Sequence, residues 1–258
     1  MKLWAIAFNT FRENIRDKIL YNLLVFAVLM IGLSIALGEM SISEQERITM
    51  DMGLSSISIF GVFMSIFLGI GLVSKEIEKK TIFTLVAQPL PRYLFILGRF
   101  SGLMLTIGLN IAIMSAAFVL SLFYLRGGAS WPLDWSIGQA LILIYLEFGI
   151  IIAAAMAFST FSTPILSTIF SLCFVVIGRL TEGILEFGER SQDQFFHWGS
   201  KVLYFLVPNL NNYIMIDKAL YGETLPPLLF FNIVAVGILT TALFLGLAIA
   251  IFQRRDFV

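Results

Sequence analysis

Long, nearly uncharged apolar blocks recur along this 258-residue chain, and several are too long to be ordinary core segments of a soluble domain. They fall at about 19–37, 54–73, 100–124, 137–158, 165–180 and 228–252. At 1.5 Å per residue, about 20 apolar residues cross the ~30 Å hydrocarbon layer of a bilayer. In that layer every backbone polar group must be satisfied internally, so unbroken apolar runs of this length are helices. The expected fold is therefore all-α and integral to a membrane, with six transmembrane helices in one domain over 1–258. Composition agrees, with 59% hydrophobic and 13% charged residues, against roughly 25% charged in average globular chains.

A net charge of zero hides a segregation. With both termini on one side, that side carries 11 of the 17 basic residues, among them Arg12, Arg16, Lys79, Lys80 and Arg254. The other side carries six: Arg47, Arg126, Arg179, Arg190, Lys201 and Lys218. Acids crowd the first loop of that second side, at Glu39, Glu44, Glu46 and Asp51. Positive residues near span ends stay in the cytoplasm, so both termini and the loop between spans two and three are expected there. Tyr124, Trp131 and Trp135 mark a membrane interface around the second outer loop. The opening Met1-Lys2-Leu3 lacks the apolar core and small-residue cleavage site of a removable signal, and none is expected. The single cysteine, Cys173, cannot form an intrachain disulfide.

Before the first span, Trp4, Phe8, Phe11 and Ile15 form one helical stripe, with Asn9, Arg12, Glu13 and Arg16 on other faces. This is an amphipathic helix suited to the headgroup plane. It serves as an anchor for the first span or as a lever toward a cytoplasmic partner. Between spans two and three, Glu76 and Glu78 precede Thr81 and an apolar turn at Ile82, Leu85 and Val86. Pro89 and Pro91 stop that helix, and another begins near Arg92. The residues alone fit either a solvated turn or a stiff helix that relays motion from a docked protein.

The order acid-x-acid, Thr81, Leu85-Val86, Pro89, Arg92 and Gly98-Arg99 closely resembles the signature of ABC-2 type permeases, the membrane subunits of ATP-binding cassette transporters. That signature reads roughly E-x-x-x-G-T-L-x-x-L-L-x-x-P-x-x-R-x-x-x-L-x-G-K, and the match runs over about 25 residues. Lys80 stands where the family usually has glycine. The ending Gln253-Arg254-Arg255-Asp256-Phe257 is also similar to family members. The resemblance implies that the loop is a coupling helix, with Glu76, Glu78, Thr81, Leu85, Val86, Pro89 and Arg92 docking a separate ATP-binding cassette ATPase. It further implies a second permease subunit, in a homodimer or heterodimer, with spans two and five near the dimer axis. The chain has no G-x-x-x-x-G-K-[ST] phosphate loop. ATP and Mg are therefore expected on the partner, with no cofactor here and no enzymatic activity on this chain. The implied location is the plasma (inner) membrane of a prokaryote, and the implied role is export; nothing points to nucleic acid.

Three stripes of small residues suit close helix packing: Gly61, Ser65 and Gly69; Gly149, Ala153 and Ala157; Ala242, Gly246 and Ala250. Thr163, Ser167 and Ser171 recur every four residues in span five. They line a translocation path or bond to carbonyls one turn back. Glu147 is an acid near the middle of span four, where a charge costs about 2.5–3.5 kcal/mol. Asn110 lies at nearly the same depth and is its expected hydrogen-bond partner. His197 stands alone, and a metal site needs several ligands, so none is expected. Apolar residues 203–207 stop at Pro208-Asn209 and predict an interfacial or re-entrant helix between spans five and six.

Three other functions compete. A secondary transporter or channel usually carries repeats, broken helices or several intramembrane charges, and this chain has no internal repeat. An intramembrane hydrolase lacks its motifs here: one histidine excludes H-E-x-x-H. A mechanical or regulatory membrane subunit driven by an ATPase without cargo has the same coupling loop and stays open.

Overall fold

The structure, a computed structural model, describes residues 2–39, 44–78, 91–127, 134–190 and 193–254. The loop residues 79–90, which include Thr81, Leu85, Val86 and Pro89 of the expected coupling helix, lie outside the described residues.

A short helix, α1 (Lys2–Asn14), precedes five long helices: α2 (Lys18–Glu39), α3 (Gln45–Glu78), α4 (Arg92–Leu125), α5 (Trp135–Phe161) and α6 (Pro164–Arg190). Then come α7 (Gln194–Leu206), a 3-10 turn (Leu210–Tyr213), the short α8 (Ile216–Leu220) and the long α9 (Pro227–Arg254). Six of these helices, α2–α6 and α9, are long and apolar enough to span a bilayer. The chain is an all-helical, multi-pass membrane protein. Six crossings bring α1 and the end of α9 to the same side, called here the terminal face; α7 and α8 lie on the opposite face.

Two spans form the interior. In α3 and α5, 72% of the most apolar window is buried, against 17% in α9 and 22% in α2. Helix α5 packs against α3, α4, α6 and α9. Its run from Glu147 to Met156 is buried on every side. Such an all-round apolar helix belongs at the centre of a bundle.

Small residues set how closely these helices approach. A Cβ on Gly61 would strike the ring of Phe148, and one on Gly69 would lie 2.6 Å from the Ala155 Cβ and 3.0 Å from the Ile152 carbonyl. The first small-residue stripe is thus the α3–α5 contact, with Ser65 buried between its glycines. Ala153 and Ala157 of the second stripe are buried too. The third is different: Ala242, Gly246 and Ala250 face outward, and Gly246 has no neighbour within 4 Å of where a Cβ would stand.

Polar pins hold the loops. Helices α5 and α6 are joined by Ser162 and Thr163, with Pro164 at the first position of α6, where its missing N–H costs nothing. Ser162 Oγ donates to the Phe158 carbonyl at 2.8 Å and meets Ser167 Oγ at 2.7 Å. On the opposite face Gln139 clamps the chain before α9. Its Oε1 accepts from the Leu225 N–H at 2.9 Å, and its Nε2 donates to the Leu225 carbonyl at 3.4 Å.

Helices α3 and α6 run well past the apolar blocks within them. Helix α3 begins at Gln45, nine residues before the apolar block, because Thr49, Met50 and Leu54 are buried while Asp51 stays exposed. Helix α6 does not end near residue 180 but runs to Arg190, since Arg179 is paired inside the bundle.

Candidate functional site

Three regions bear on function: a polar cluster in the middle of the bundle, the helix junction on the terminal face and the ion pairs of the opposite face. The central cluster is set by the two-residue α5–α6 turn. Glu147 lies 15 residues before Ser162, and Arg179 lies 16 after Thr163. Antiparallel helices rising equally far from one turn bring both side chains to one level.

There Arg179 donates to Glu147 Oε1 through Nε at 3.1 Å and through Nη2 at 3.0 Å. The same Nη2 donates to Ser58 Oγ of α3 at 2.8 Å. Glu147 is completely buried, while the Arg179 side chain keeps 25% of its exposure. One guanidinium thus ties α3, α5 and α6 together. Glu147 Oε2 has no hydrogen-bond partner among the described residues. An ion in hydrocarbon is tolerated only when paired and facing protein, and the pair meets that demand on one oxygen alone.

Asn110, the expected partner of Glu147, is not in this cluster. Its Nδ2 donates to the Thr106 carbonyl at 3.1 Å, within α4. Depth along a span fixes a level, not a direction around the helix axis. Arg179, one of the six basic residues expected on the outer side, lies inside the bundle, which leaves five there.

The hydroxyl series of span five does not share one environment. Ser167 and Ser171 are fully buried, and Thr163 is exposed at the turn. Ser167 is engaged by Ser162, while Ser171 Oγ has no partner among the described residues. It is Thr168, outside the series, that bonds back one turn to the Pro164 carbonyl at 2.8 Å.

On the terminal face α1 crosses the first turns of α4. A Cβ on Gly98 would come within 2.9 Å of Ile6, and one on Gly102 within 2.5 Å of the Ala7 carbonyl. Ala7 and Thr10 are buried in this seat. The stripe read from the sequence points elsewhere: Trp4, Phe8 and Ile15 are 69%, 58% and 45% exposed. So α1 has two faces with two duties. Ile6, Ala7 and Thr10 grip α4, and the aromatic face is free for the interface. Of the expected coupling residues, Glu76 and Glu78 lie in the last turn of α3 and Arg92 opens α4, so both ends of the loop are helical.

On the opposite face Arg126 donates to Glu46, through Nε at 2.8 Å and through Nη2, and lies 3.8 Å from Asp134. Arg47 stacks over the Tyr221 ring at 4.3 Å. The Tyr213 hydroxyl donates to the Ile233 carbonyl at 3.4 Å. Burial, with the charge of Glu147 adding to it, holds that phenol up at about 12, so it stays a donor. His197 Nδ1 lies 3.3 Å from the Gly188 carbonyl, inside the α6–α7 hairpin. No group of metal-ligating side chains occurs among the described residues.

The family model described as ABC-2 family transporter protein matches residues 4–257 of this chain. No curated protein matches it significantly.

Proposed function

This chain belongs to the ABC-2 transporter family, and from that premise we propose that it is the permease subunit of an ATP-driven exporter, worked by a separate nucleotide-binding subunit. It acts as one domain from end to end, in the plasma membrane of a prokaryote, paired with a second permease chain and with both termini in the cytoplasm. The family match over nearly the whole chain carries the reading.

The docking element is the segment from Lys75 to Arg99. It joins α3, half of the buried α3–α5 core, to α4, which also seats α1. A push on the loop therefore reaches the core through α3 and the interfacial helix through α4. Stiffness matters because a packed, bistable element transmits a small displacement instead of absorbing it. Glu76, Glu78 and Thr81 present acceptors to the ATPase, Leu85 and Val86 fill an apolar groove, and Arg92 fixes the following turn. Thr163, Ser167 and Ser171 mark the side of span five nearest the translocation path. The cargo-free mechanical alternative shares the whole coupling scheme and parts from it only in a transport assay.

The test is co-purification and ATPase rate of the partner with Glu76→Ala, Arg92→Ala and Pro89→Gly. The two alanine variants are expected to insert normally while losing partner binding or stimulated ATPase. Pro89→Gly is expected to keep binding and loosen coupling, because glycine frees the backbone at the turn. Full binding and full coupled activity in all three would refute the docking role.

A further inference from the structure

A cleft of about 870 Å³ opens where the segment 208–218 overhangs the opposite-face half of α9. Leu229, Ile233, Val236 and Leu243 line its long wall, spaced three to seven residues apart on one side of the helix. From Leu229 to Leu243 is fourteen residue steps, or ~21 Å at 1.5 Å each. Half of a ~30 Å hydrocarbon core is ~15 Å, so the groove descends through one leaflet, with a few ångströms left for the headgroup level. Phe244 lines it at the far end from Leu229, and its ring meets Phe174 edge-on with centroids 5.3 Å apart.

The mouth has the opposite character. Glu182, Asp217 and Lys218 stand around it. Glu182 is held in place, since its two oxygens accept from Asn209 Nδ2 at 2.9 Å and Asn211 Nδ2 at 3.3 Å. Just below the mouth Asn232 is exposed into the cleft, five residues inside α9, with no hydrogen-bond partner among the described residues. A polar amide at that depth calls for a polar partner. Plain hydrocarbon offers none, whereas the ester region of a lipid does.

We infer that this cleft holds one amine-bearing zwitterionic phospholipid of the opposite-face leaflet. Its ammonium sits at Glu182 and Asp217, its phosphate faces Lys218, its ester carbonyl accepts from Asn232, and one acyl chain lies along α9. Two acids and one base at the mouth match a headgroup carrying both signs. An anionic glycerol headgroup would leave Glu182 facing no cation. The inference needs the chain to span a membrane but not to couple to an ATPase, so it stands or falls separately from the docking role.

The test uses the full-length chain in nanodiscs, with phosphatidylethanolamine carrying a photoreactive diazirine in one acyl chain, and adducts mapped by mass spectrometry. Adducts are expected to concentrate on Val236 and Leu243 over the equally lipid-accessible Ile238 and Leu247. Unlabelled phosphatidylethanolamine should suppress them several-fold, and phosphatidylglycerol at the same mole fraction should not. Asn232→Leu and Lys218→Glu, each checked as monodisperse, should lower the cleft adducts several-fold and leave those on Leu247 unchanged. Even labelling around α9 would overturn the proposal in favour of annular lipid. Equal competition by phosphatidylglycerol would overturn the headgroup assignment. A disulfide between two copies carrying Leu239→Cys, in a Cys173→Ala background, would make the cleft a chain–chain interface instead.

Discussion

Removing Arg179 while keeping Glu147 should be far more damaging than removing both. In Arg179→Met the three bonds to Glu147 Oε1 and Ser58 Oγ are lost together. Glu147 is completely buried, and its Oε2 already has no partner among the described residues, so no second donor stands ready. Breaking a buried pair from one side costs about 3–5 kcal/mol, because the other charge is stranded. The lower figure is a factor of ~150 in the folding equilibrium constant, at 1.36 kcal/mol per decade. Glu147→Leu should cost less, since Arg179 keeps its bond to Ser58 Oγ and is only partly buried. Glu147→Gln keeps an acceptor for both N–H groups and should fall between wild type and Glu147→Leu. The double variant Glu147→Leu with Arg179→Met strands nothing, and paired apolar replacements are often nearly neutral. It is expected within about 1 kcal/mol of wild type, a coupling of at least ~2 kcal/mol. The assay is reversible unfolding in mixed micelles as the mole fraction of denaturing detergent rises. Single costs that add to within about 0.5 kcal/mol would show two independent side chains and refute the three-helix tie.

Two further expectations follow from packing and from the loop pins. Gly61→Leu forces a side chain into the Phe148 ring and should destabilise by about 1–3 kcal/mol; Gly246→Ala, with open space around it, should leave the melting temperature of the single chain unchanged. Gln139→Leu removes both bonds to the buried Leu225 backbone, and each stranded group costs about 1–3 kcal/mol, so hydrogen exchange of residues 223–225 should rise well above that of the α9 interior.

What the sequence discloses about this fold divides along a physical line. Properties summed over twenty residues were readable. Six apolar blocks gave six long helices, because hydrocarbon admits no other open-chain solution and single charges hardly alter the sum. The stripe Gly61, Ser65, Gly69 also translated directly, since small residues at every fourth position can serve only close packing or nothing. Properties that depend on rotation about a helix axis were hidden. Asn110 and Glu147 share a level but not a face, and α1 grips α4 by its least conspicuous residues, Ala7 and Thr10. The Glu147–Arg179 pair lay between these limits. An arginine sixteen residues beyond a turn and a glutamate fifteen before it are level whenever the turn is short and the helices are antiparallel. That equality was available in the numbering. Arg179 instead passed for the end of its span, because a lone cation after a short apolar run looks like a helix reaching water. Charge in a membrane helix has to be judged against the neighbouring span and not by its own run length. A cation matched in depth by an acid across a tight turn is expected to lie inside the bundle, where it binds three helices rather than ending one.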